Sequence, residues 1–160
     1  MKTRLLVGLL VGGLMAAVLP GVAAAAAKEG VIITSPMTIN FPDPNTGRFT
    51  TTGTTLCSTG DVYDNVLRLD GWDPDRGRPP KHVYVEKTFT CDDASGTFDI
   101  RLHAIPKEDG DATEKLRWTV LGGTGDYAGL MGQGGGFTVP DDGDPYDVVN
   151  IYDGTVWLKE

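Results

Sequence analysis

Histidine and cysteine are almost missing from this chain, basic side chains are few, and hardly any stretch carries a helical period of apolar residues. Each shortage excludes something. The two histidines, His82 and His103, have no second histidine at metal-ligand spacing and no free thiolate to join them, so neither a metal centre nor a cofactor is expected. The 14 Lys and Arg are outnumbered by 22 Asp and Glu, a formal charge of -8. Such a surface repels phosphate backbones and anionic lipid heads, which argues against nucleic-acid and membrane partners. Serine triad chemistry also lacks a foothold, because Ser35, Ser58 and Ser95 sit in turn-like surroundings and none occupies a G-x-S-x-G elbow.

The one long apolar run is at the start. Met1 to Arg4 carries two basic side chains, Leu5 to Leu19 is apolar, and Pro20 to Ala27 ends in small residues with several A-x-A choices. That three-part pattern is expected of a signal peptide over 1–27, and the run is shorter than the ~20 residues that span a bilayer. Its removal leaves 28–160 as a single extracellular domain with a formal charge of -10, since Lys2 and Arg4 depart with it. Outside the cytoplasm an even cysteine count implies bonding, so Cys57 and Cys91 are expected to form a disulfide. A catalytic thiol would need an unpaired cysteine beside a base.

Gly, Pro, Asp and Asn interrupt the remaining chain every eight to twelve residues, the spacing of an all-β sandwich or barrel. Strands are expected at Val31–Thr34, Met37–Phe41, Phe49–Cys57, Val62–Leu69, His82–Cys91, Thr97–Ile105, Lys115–Leu121, Gly136–Val139 and Asp147–Leu158. Eight or nine strands fit one closed antiparallel sheet. The clearest hairpin alternates Val83, Val85, Phe89 and Cys91, turns through Asp92 to Gly96, and resumes with Phe98, Ile100, Leu102 and Ala104. The opposite face of the second strand carries Asp99, Arg101 and His103. Lys87 is the exception, because it shares parity with the apolar set. Such an ammonium is suited to an anionic ligand or to a carbonyl, while the duller accounts are a bulge that changes parity or a stem that snorkels to solvent.

Asp73–Lys81, Pro106–Thr113 and Pro140–Pro145 are polar and rich in turn residues, so exposed loops are expected there. Their aspartates, Asp73 and Asp75, Asp109 and Asp111, and Asp141, Asp142, Asp144 and Asp147, do not reproduce a twelve-residue calcium loop. Within the first loop, Asp75-Arg76-Gly77-Arg78-Pro79-Pro80 has the arginines a trypsin-like protease would accept from an inhibitor.

After Trp118-Thr119-Val120 comes Gly122-Gly123-Thr124-Gly125-Asp126-Tyr127-Ala128-Gly129. A G-x-G-x-x-A pattern lies inside it, but nucleotide binding needs a helix to open there, and five further glycines follow between 129 and 136. The expectation is instead a glycine turn between strands, built on Gly122, Gly123 and Gly125 and anchored by Tyr127. The wording GGTGDYAGLMG over Gly122–Gly132 resembles the glycine-rich strand connection of the dirigent and allene oxide cyclase barrel superfamily. Together with Phe89–Phe98, it also resembles small secreted actinobacterial proteins. The resemblance covers roughly Phe49 to Gly136. It implies an eight-stranded antiparallel barrel with a central cavity, trimeric in plant members, but no family catalytic residue maps onto a position here.

The resulting expectation is a secreted, non-catalytic barrel that binds a small apolar ligand or a protein partner, with a homo-oligomer as an option. The alternative is a cyclase or isomerase with Lys87, Arg101, His103 or Tyr127 as cavity anchors, which requires at least two of them to converge. A protease inhibitor is the third reading.

Overall fold

Alternation with period two along most strands leaves one apolar face per strand, and a closed cylinder is one way to bury all of those faces at once. The computed structural model describes residues 27–38, 43–106, 113–141 and 147–159. The expected signal peptide apart from Ala27, most of the loops at 106–113 and 140–145, Phe41, and the aspartates Asp109, Asp111, Asp142 and Asp144 lie outside the described residues.

Eight strands follow one another in the described chain: β1 (Glu29–Thr38), β2 (Thr46–Thr51), β3 (Thr59–Asp70), β4 (His82–Cys91), β5 (Thr97–Pro106), β6 (Thr113–Gly123), β7 (Leu130–Pro140) and β8 (Asp147–Leu158). Each pairs antiparallel with the next, and β8 returns to β1, closing the barrel. Closure leaves no open sheet edge to pair with another chain. The first two expected strands merge into β1, because Ser35 and Pro36 continue the pairing with β8 rather than breaking it. β2 is shorter than expected and ends at Thr51. The chain beyond it is held as a loop by Glu29, whose carboxylate accepts the backbone N–H groups of Thr54 at 2.7 Å and Thr55 at 2.6 Å.

The largest departure from expectation is β7, which was expected only over Gly136–Val139 but begins at Leu130 and takes in Gly132, Gly134 and Gly135. Space explains it. A Cβ at Gly134 would stand 2.7 Å from Trp118 Cε2 and one at Gly154 2.5 Å from Trp118 Cζ2, so these two glycines clear room for the buried Trp118 indole. Trp118 Nε1 in turn donates to the Gly135 carbonyl at 2.9 Å. Gly134→Ala would also bring a Cβ to 2.1 Å from the Asp153 carbonyl oxygen, which is backbone and yields little. Overpacking of that kind is expected to destabilise the barrel by about 1–3 kcal/mol, read as a lower midpoint in urea unfolding.

One end of the cylinder is filled with aromatic rings. Phe49 stands edge-on to Phe89 and Phe98 at 5.1 and 5.8 Å, Phe89 and Phe98 stack at 4.7 Å, and Tyr127 meets Phe98 at 5.6 Å. The Cys57–Cys91 disulfide closes over the same end, with Cα atoms 5.9 Å apart. Two turns pack against each other there. A Cβ at Gly96 would meet the Thr124 carbonyl at 2.2 Å, and one at Gly125, where φ is +59°, would meet the Ser95 carbonyl at 2.2 Å. The glycine run is therefore a strand connection with Tyr127 buried beneath it, its hydroxyl 3.0 Å from Ser95 Oγ. Only a three-residue 3₁₀ turn, Gly125–Tyr127, forms where a dinucleotide site would need a helix.

Candidate functional site

Inward parity on β4 selects Val85, Lys87, Phe89 and Cys91, all buried. Lys87 keeps that parity and is 3% exposed, which corrects both duller accounts of it. It neither snorkels nor sits on a bulge. The bulge falls on the neighbouring β3, between Asp64 and Val66, and puts Asn65 outside, where its Nδ2 donates to Thr88 Oγ1 at 2.6 Å.

Directly across from Lys87, Asp64 also points inward and is 4% exposed. The Lys87 ammonium donates to Asp64 Oδ1 and lies 3.1 Å from the Met37 sulfur on β1. The other carboxylate oxygen of Asp64 accepts from Asn45 Nδ2 at 2.9 Å, just before β2. Burial pushes the Lys87 pKa down, against the pull of the Asp64 charge.

Three further polar side chains are buried on β1 and β8. Ser35 on β1 and Tyr152 on β8 are fully buried, and Asn150 on β8 lies across from Ser35. Asn150 Oδ1 accepts from Thr138 Oγ1 at 2.8 Å. Ser35 Oγ and Tyr152 Oη have no hydrogen-bond partner among the described residues. Burial pushes the Tyr152 phenol well above its ordinary pKa, and the Asp64 charge adds to that effect. A buried hydroxyl without a partner costs about 1–3 kcal/mol, so two of them are expensive features for a small barrel.

The cluster thus combines an ammonium, a carboxylate, an amide and two unpartnered hydroxyls, contributed by β1, β3, β4 and β8. Buried Val31, Ile33, Leu102 and Trp118 supply apolar wall elsewhere on the barrel's inward faces.

The other sequence-level candidates lie elsewhere. Arg101 is on the outer face, where its guanidinium donates to Glu86 Oε1 at 3.0 and 2.7 Å. His103 is outside as well, stacked on Tyr84 at 4.5 Å, and Tyr127 belongs to the filled end. Lys87, Arg101, His103 and Tyr127 do not converge, so the arrangement required of the cyclase reading is not met. The arginine loop is folded on itself, since Asp73 and Arg78 exchange backbone hydrogen bonds at 3.1 and 2.9 Å around a short 3₁₀ turn. A protease would meet a compact turn there instead of an extended strand.

At the filled end, exposed Asp92 accepts hydrogen bonds from Arg48 and Thr59 and its pKa is lowered by them. Asp93 and Glu29 are lowered likewise by hydrogen bonds from Ser95 and from Thr54 and Thr55. In the carboxylate range the unfolded chain then binds more protons than the folded one, so these contacts contribute at neutral pH and are lost as pH falls. The thermal midpoint is expected to drop through and below the ordinary carboxylate range, measurable by circular dichroism between pH 6 and pH 2.

No family model, curated protein or solved structure matches the chain. The interior geometry therefore carries the functional argument by itself.

Proposed function

We propose that the domain is a secreted, non-catalytic barrel that holds a small, largely apolar ligand against the Lys87–Asp64 cluster. The observation that carries this reading is the pair of fully buried, unpartnered hydroxyls, Ser35 Oγ and Tyr152 Oη, beside a buried ion pair. Purely structural cores select against such groups, whereas a binding chamber keeps them for the ligand.

Tyr152→Phe separates the two roles. Removing a buried hydroxyl that lacks a partner is expected to raise stability by about 1 kcal/mol while weakening ligand retention. The measurement is paired: urea unfolding of the ligand-free protein, and titration with an apolar fluorescent probe displaced by lipid-like alcohols and acids. Lower stability together with unchanged probe binding would refute the assignment.

A further inference from the structure

The fold brings together the two histidines that sequence spacing kept apart. His82 on β4 and His103 on β5 meet on the outer face of the barrel, with His82 Nδ1 3.0 Å from His103 Nε2. Their neighbours hold them in place. Tyr84 stacks on the His103 ring with planes 4° apart, and the Arg68 guanidinium lies 4.1 Å over Tyr84. Arg68 itself is paired with Asp70 at 3.2 Å, which offsets its charge next to the histidines.

We infer that His82 and His103 form a two-imidazole site for a divalent transition-metal ion, copper(II) above all. Nitrogen ligands about 2.0–2.1 Å from a metal stand roughly 2.9 Å apart at adjacent corners of a square and roughly 3.4 Å apart in a tetrahedron. The observed 3.0 Å is closer to the square arrangement that copper(II) prefers. Copper also binds nitrogen ligands most tightly among the divalent first-row ions. In the hydrogen-bonded pair one ring nitrogen shows a proton to the other's lone pair. On binding, that ring changes tautomer through solvent, so both facing nitrogens offer lone pairs and no net proton is lost. Each ring needs only a pivot about its broad χ2 torsion. No group of three or more His, Cys, Asp or Glu among the described residues is placed to hold a metal, so water or a small ligand completes the shell. An ion held this way is open to exchange, as suits a site that picks up or presents copper rather than one that braces the fold.

The test is a titration of the full protein with copper(II) chloride against glycine as competitor, read by electron paramagnetic resonance. The expected result is one ion per chain with hyperfine coupling to two imidazole nitrogens. His82→Gln and His103→Gln should each weaken binding by more than about tenfold. Because the chain has only two histidines, substoichiometric copper should broaden the proton resonances of both rings in the unsubstituted protein, a readout independent of how the variants fold. Copper that stays with glycine, or that binds a combined His82→Gln/His103→Gln variant equally well, would overturn the site. So would ring resonances that do not respond.

Discussion

Lys87→Ala is expected to destabilise the barrel by about 3–5 kcal/mol, because it leaves the Asp64 carboxylate buried without its countercharge. Among the described residues, the Asp64 carboxylate would keep the Asn45 amide alone as a hydrogen-bond donor. The pair, in contrast, is expected to be dispensable for folding. Lys87→Met combined with Asp64→Leu removes both charges and fills similar volume, so the double variant is expected within about 1–2 kcal/mol of the parent. Urea unfolding of the two single variants and the double variant measures the coupling directly. A loss below about 1 kcal/mol for Lys87→Ala would mean that the ammonium is solvated rather than enclosed. The pH dependence has a definite sign. The folded-state pKa of Lys87 is lowered, so the unfolded chain holds more protons between that value and the ordinary lysine range, and this group's contribution to stability rises with pH across the window. Tyr152 acts oppositely above the ordinary tyrosine pKa, because the folded protein retains a proton that the unfolded chain has released.

Reduction of Cys57–Cys91, or substitution of both by serine, is expected to cost about 4 kcal/mol on the chain-entropy account for residues 34 apart in sequence. For a chain of this length that corresponds to a melting temperature lower by about 10–15 °C. The bond lies at the aromatic end, away from the Lys87–Asp64 pair, so at temperatures where the reduced protein stays folded its ligand binding should be unchanged. Calorimetry with and without reducing agent tests the first part, and probe titration the second. A reduced protein that melts where the oxidised one does would show that the aromatic packing alone sets stability at that end.

The period-two alternation of β4 and β5 was legible in the sequence, and both strands run close to where it placed them. β7 was not. Glycine ordinarily marks turns, and only the tertiary fact that Trp118 needs room over Gly134 and Gly154 turns a glycine run into a strand. Lys87 was recognisable as a parity violation, but its partner was missed. The available signal was Asp64, two residues from Val62 on a strand that the same pattern marks as neighbouring; two opposite charges at inward positions of adjacent strands are more informative than either alone. Ser35 was read as sitting in turn-like surroundings, although it and Pro36 are accommodated within β1. His82 and His103 illustrate a further limit, since separation along the chain says little about proximity across an antiparallel hairpin.

On the proposed function, Ser35, Tyr152 and the Lys87–Asp64 pair touch a small molecule carried by the protein. Native mass spectrometry of protein collected from the medium of its own host tests it most directly, comparing the parent with Ser35→Ala/Tyr152→Phe. A small-molecule adduct on the parent that is lost or much reduced in the double variant is the predicted result. A bare polypeptide mass in both, with the disulfide intact, would contradict the account.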